Sequence, residues 1–206
     1  MWFFGATFLT SFFNFARDVL GADADVVTML LALFSLGIGT GSLACERLSG
    51  RRVELGLVLF GALGMSLFAA DLWWASHALA PSAHAPLLGL GAFLTDAILG
   101  PSHWRIMADL FLLAMFGGFY SVPLYAFVQA RSQPSHRARI IAALNILNAL
   151  FMIVSALAAL ALFAAGGTIP QLFLATAVLN LVVAPLLCRA APPFLPAFGR
   201  WLRRRG

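Results

Sequence analysis

The sequence is short of charge and has no lysine. Only 10% of its 206 residues are charged, 62% are hydrophobic, and the mean hydropathy is +0.93. A soluble globular domain carries about a quarter charged and about half apolar residues, so this composition points away from a water-soluble fold. There are two cysteines, Cys45 and Cys188, each near the end of an apolar run. Free thiols are expected there rather than a disulfide. No Cys and His spacing suits zinc, and no nucleophile–base or metal constellation is visible. Neither an enzyme nor a cofactor is therefore expected. No basic region precedes the first apolar run, which begins at Trp2, so no secretory signal peptide is expected.

What the chain has is long apolar runs. A spanning helix needs about 20 apolar residues to cross about 30 Å of hydrocarbon. Six runs approach this: Trp2–Ala16, Val26–Ala44, Leu55–Trp74, Met107–Gln129, Ile140–Phe163 and Leu172–Leu187. The fold class they predict is an all-α membrane protein of six transmembrane helices over residues 1–189, followed by a basic cytoplasmic tail, residues 190–206. The first run is too short: from Met1 to Ala16 the helical rise is about 24 Å. Either Asn14 and Arg17 shorten this helix, or the chain begins inside what was once a longer one.

All 13 basic residues are arginine, and the formal charge is +5. A basic balance can mean nucleic acid, but the placement of these arginines explains them otherwise. Eleven fall on one side of the six-run map: Arg47, Arg51, Arg52, Arg131, Arg137, Arg139, Arg189, Arg200, Arg203, Arg204 and Arg205. Only Arg17 and Arg105 fall on the other. By the positive-inside rule the arginine-rich side is cytoplasmic and both termini lie inside, with no nucleic acid among the partners. The acids show the reverse bias. Asp18, Asp23, Asp25, Asp71, Asp96 and Asp109 lie on or near the outer side, and only Glu46 and Glu54 inside.

Two stretches outside the runs carry a pattern. The outer connection contains PLLGLGAFLTDAILGP, which is apolar but too short to span and suits an interfacial or re-entrant helix or a weakly ordered loop. Trp73, Trp74 and Trp104 flank it as headgroup-level anchors. In the tail, Pro192, Pro193 and Pro196 end the last helix. FGRWLRRRG then sets Phe198, Trp201 and Leu202 among arginines. This suits a segment lying on an anionic inner leaflet or a solvated tail serving only topology.

The stretch GIGTGSLACERLSGRR, residues 37–52, joins packing to charge. Gly37, Gly39 and Gly41 leave a helix face nearly bare, so another helix can approach closely. Glu46, Arg47, Gly50, Arg51 and Arg52 follow where the apolar run stops. A carboxylate here is favoured beside a helix N-terminus. The natural partner is the helix starting near Ala138, between Arg137 and Arg139. The alternative is that these charges only fix orientation. The stretch resembles the loop motif of the major facilitator superfamily, Gly-x-Leu-Ala-Asp-Arg-x-Gly-Arg-Arg, with Glu46 in place of Asp and a slightly longer loop. The resemblance implies a gate motif of Gly41, Glu46, Arg47, Gly50, Arg51 and Arg52.

Together with FNFARDVLG, WRIMADLFLLAMFGGFYSVPLYAFVQARS and RARIIAALNILNALFMI, the stretch resembles the lysophospholipid transporter branch of that superfamily. The likeness covers nearly all of residues 2–188. It corresponds to the second six-helix half of a twelve-helix transporter. Some members of the branch are fused to a glycerophospholipid acyltransferase, whose His-x-x-x-x-Asp motif does not occur here. The resemblance implies secondary transport of lysophospholipid across the cell inner membrane. It also implies a lipid or amphipathic small-molecule substrate, with a first-half partner, a homodimer or an acyltransferase as possible associates. Efflux of a drug or metabolite by the same fold is one alternative. A half-transporter inactive without its first half is another.

Polar groups inside apolar helices must face partners or a cavity. The candidates for a substrate path are Asn14, Gly117, Gly118, Tyr120, Gln129, Asn145, Asn148 and Asn180. Asn145 and Asn148 share a helix face at i, i+3, and Pro123 frees a backbone carbonyl beside Gly117 and Gly118. For each, plain helix–helix hydrogen bonding is the alternative. Asp71 and Asp109 are candidates for ion coupling, or they sit wetted at the outer interface, with Asp109 paired to Arg105 at i, i+4. His77, His84, His103 and His136 fall in connections, where they are expected to be solvated.

Overall fold

The computed structural model describes residues 2–50, 54–79, 87–99, 101–190 and 194–203. Arg51, Arg52, His84, Pro192, Pro193, Arg204 and Arg205 lie outside the described residues, as does the side chain of Cys188. The described residues are helical almost throughout. In chain order the helices are α1 (Trp2–Asn14), α2 (Ala24–Ser49), α3 (Gly56–Ser76), α4 (Leu90–Leu99), α5 (Pro101–Arg131), α6 (Arg137–Ala164), α7 (Ile169–Ala190) and α8 (Phe194–Arg203). Among the described residues α2, α3, α5, α6 and α7 are long and apolar enough to cross a membrane. The α-helical part of α1 has 13 residues and falls short of that length, as the sequence predicts.

Helix ends follow local chemistry. After Asn14 the chain widens into a π-helical turn, Phe15–Val19, in which Leu20 N–H reaches the Phe15 carbonyl at 3.1 Å. Gly21, at φ +63°, turns the chain out of it. Asp23 caps α2, its Oδ1 accepting from the amides of Asp25 and Val26 at 3.0 and 3.1 Å. Such caps contribute about 0.5–2 kcal/mol. At its far end Gly50, at φ +59°, closes α2 in the left-handed conformation that glycine reaches without strain.

Packing centres on α5, which is held between α2 and α3. Glycine makes both contacts close. A Cβ on Gly37 would stand 2.4 Å from the Phe111 carbonyl oxygen, and one on Gly41 2.0 Å from that of Met115. Gly118 reciprocates from α5 against the backbone of Gly41 and Ser42. On the opposite side, Gly61 of α3 meets the backbone of Tyr120, and Gly64 meets the Phe116 ring. Gly39 is not part of the crossing: it is exposed, with nothing near its missing Cβ. At 100° per residue it points away from Gly37 and Gly41, which share a face at i, i+4. α3 packs in turn on α7 and α8, while α6 rests mainly on α1.

The two ends of the bundle differ in charge. At one end α2 finishes with Arg47, α5 with Arg131, and α6 starts with Arg137 and Arg139. There α8 docks on α3, with Trp201 buried and its ring 5.3 Å from Phe60. Phe198 stacks on Trp201 at 6.2 Å. The aromatic side of the expected surface segment is thus turned into the protein. At the other end, the acid-bearing one, a phenylalanine-rich core forms. Phe8 and Phe15 of the first helical segment close on Phe173 of α7 at 4.8 and 5.1 Å. Within the long connection here, residues 87–99 are held by their neighbours. Leu88 exchanges backbone hydrogen bonds with Gly21 and Asp23, at 2.7 and 3.1 Å. Phe93 of α4 is fully buried, edge-on to His103 at 4.9 Å. Of the sequence alternatives, the short helix is the one observed, with Trp74 and Trp104 exposed beside it.

Candidate functional site

Where α1, α2, α3 and α5 diverge they leave a cavity of about 290 Å³. Phe4, Phe8 and Leu9 of α1 and Phe34 and Ile38 of α2 form two of its walls, and Met65 of α3 closes part of a third. α5 supplies Leu113 and then, in the next turns, Gly117, Tyr120, Ser121 and Tyr125. The lining is almost wholly apolar. Its polar points are hydroxyls, and Ser121 already donates its own to the Gly117 carbonyl at 2.6 Å. The volume stands at the lower bound of ordinary ligand pockets, about 300–1,000 Å³. Gly117 is why the wall is open there: a Cβ on it would meet nothing within 4 Å. Pro123, one turn beyond Phe119, cannot donate to that residue's carbonyl, which loosens α5 beside the cavity.

The candidate path residues divide. Gly117 and Tyr120 line the cavity, and Asn148 touches its rim by donating to the Tyr125 hydroxyl at 3.1 Å. Gly118 lies in the α2–α5 crossing. Asn180 is buried between α7 and α3, donating to the Ala62 carbonyl at 2.7 Å and to Ser66 Oγ at 2.9 Å. Asn14, Gln129 and Asn145 are exposed and do not line the cavity. Thr7 and Ser155, which sequence reasoning did not single out, share a buried hydroxyl–hydroxyl bond that ties α1 to α6. Each is one small polar residue in an apolar helix, and only the pairing of the two helices distinguishes them.

Of the gate motif, Gly41 lies in the helix crossing, and Glu46, Arg47 and Gly50 are exposed. With Leu43 these three line a shallow depression at the arginine-rich end. Arg51 and Arg52 are not among the described residues. Cys45 is a buried free thiol that packs with Leu57, Phe119 and Trp201. The group of three or more His, Cys, Asp or Glu side chains that a metal would need does not occur among the described residues.

The acidic candidates behave differently from expectation. Arg105 does not pair with Asp109 one turn away but reaches across to α3. Its Nε donates to Asp71 Oδ2 at 3.0 Å, and its Nη2 donates to Asp71 Oδ1. Asp109 is not wetted: it is 3% exposed, beside Asp71. The i, i+4 rule failed because Asp71 offers both oxygens to the planar guanidinium fork from a partly solvated position, whereas Asp109 is shut into the helix contact.

Comparison of the chain with family models, with curated proteins and with solved structures finds no match.

Proposed function

We propose that this chain is a membrane transport unit of the major facilitator type, and that it moves lysophospholipid across the cell inner membrane, arginine-rich end in the cytoplasm. The cavity carries this reading. It is apolar, suited to an acyl chain rather than a sugar or ion, and its few hydroxyls cluster along one helix, α5. Beside that helix stand the glycine crossings and Pro123, which suit a gating element.

The packing pattern supports the fold assignment. Each half of such a transporter contains two three-helix repeats of inverted topology. Exchanging α1 with α5, α2 with α6 and α3 with α7 turns the α2–α5 contact into α6–α1 and maps the α3–α7 contact onto itself, and all three contacts occur. The exchange is broken on one side. α3 packs extensively on α5, but its counterpart contact, α7 with α1, is slight.

A second reading, that transport requires a first-half partner or a second copy, is favoured by α6. Nearly all of that helix is exposed, including Asn145, and a polar amide facing hydrocarbon is unfavourable. The test is reconstitution into vesicles with fluorescent lysophosphatidylethanolamine and a panel of hydrophilic and drug-like solutes. Selective movement of the lysolipid by the chain alone is expected. Movement of the solutes instead would replace the cargo, and movement of nothing by a folded, monomeric chain would favour the second reading.

A further inference from the structure

We propose that Asp109, Asp71 and Arg105 form a binding site for a single proton, which resides on Asp109. The site stands on geometry and does not depend on what the cavity carries. Arg105 occupies both oxygens of Asp71, so its charge is matched. Asp109 is then a second carboxyl with no cation of its own. It is 3% exposed, its Oδ2 has no hydrogen-bond partner among the described residues, and it stands one turn along α5 from Arg105, beside Asp71. As a carboxylate it would face the neighbouring Asp71 charge with its Oδ2 buried and no donor at that atom. As a neutral acid it donates its O–H to Asp71. The triad of acid, carboxylate and guanidinium is then uncharged as a whole.

The remaining charged groups on the surrounding elements do not supply a second cation. α3 adds His77, exposed beyond the helix end with Nδ1 against the Trp74 carbonyl. α5 adds His103, edge-on to Phe93. α2 brings Asp23, engaged in its cap, and the exposed Asp25. α4 carries Asp96, whose side chain is not described. The arrangement is graded from water inwards. The Arg105 and Asp71 side chains are 46% and 33% exposed, and Asp109 lies behind them. Leu113, one turn along α5 from Asp109, is in the cavity wall. A proton reaching Asp109 by way of Asp71 therefore arrives on the helix that lines the cavity.

The test is infrared spectroscopy of the whole chain in lipid nanodiscs. At neutral pH the wild type is expected to show a protonated-carboxyl band that disappears as the pH is raised. Asp109→Asn should abolish the band and Asp25→Asn should leave it. Asp71→Asn should also abolish it, because Arg105, released from Asp71, becomes the counter-charge of an ionised Asp109. Absence of the band from wild type, or its survival in Asp109→Asn, would overturn the proposal. Its survival in Asp71→Asn would overturn the triad. The wild-type titration stands alone should a variant not fold, and a band abolished by sodium ions rather than by alkali would replace the proton with a metal cation.

Discussion

Replacing Gly41 by alanine places a methyl carbon 2.0 Å from the Met115 carbonyl oxygen and 2.8 and 2.9 Å from that residue's carbonyl carbon and Cα. All three are backbone atoms, so no side chain can swing aside. The contact falls about 1.4 Å short of an ordinary 3.4 Å approach, and relief comes only by moving α2 away from α5. That shift also opens the reciprocal contact of Gly118 with Ser42. Forcing an extra carbon into a packed site costs about 1–3 kcal/mol. Alanine also gains about 1 kcal/mol of helix propensity over glycine, which masks part of the loss. Gly39→Ala isolates that term, since its Cβ meets nothing within 4 Å. The difference between the two variants is therefore the steric cost alone, about 1–3 kcal/mol. Unfolding of each purified variant in mixed detergent micelles, followed by tryptophan fluorescence, measures it. Equal stability of Gly41→Ala and Gly39→Ala would refute the close crossing.

Three further outcomes are expected. Asn180→Ala removes two hydrogen bonds to α3 and, at about 0.6 kcal/mol each, should cost about 1.2 kcal/mol in the same unfolding assay, and should leave cargo selectivity unchanged. Trp201→Ala empties the seat between Phe60 and Phe198. Truncating a buried tryptophan costs about 3–5 kcal/mol in a full core, so α8 should undock, seen as faster tryptic cleavage at Arg203 in intact membranes. Reporter domains fused after His77 and after Arg131 should report opposite compartments, the second cytoplasmic.

Much of the helix layout was legible because hydrocarbon thickness sets a length that apolar runs must meet: α3, α6 and α7 begin and end close to the expected positions, while α2 runs on past Ala44 to Ser49 and α5 starts ahead of Met107, at Pro101. Close crossings were half legible. Gly37 and Gly41 show their shared face by spacing, but nothing local reveals that Gly118 answers them from α5, or that Gly61 and Gly64 of α3 close on the other side of that helix. Side-chain pairing across helices was not legible. Asp71 and Arg105 are 34 residues apart, and the one local rule available pointed Arg105 at Asp109. Asn145 and Asn148 share a face by spacing, yet α6 touches its neighbours along so narrow a stripe that only Asn148 finds a partner. Phe198 and Trp201 mark an amphipathic segment whose apolar side suits lipid and protein equally, and the seat on α3 decides between them.

The cavity as a lysolipid path is tested most directly by Gly117→Leu. The site has room for the added side chain, which projects into the space between α1 and α5. In vesicles the account predicts that wild type moves fluorescent lysophosphatidylethanolamine and that Gly117→Leu, equally stable, moves it at least several-fold more slowly. Undiminished movement by that variant would contradict it.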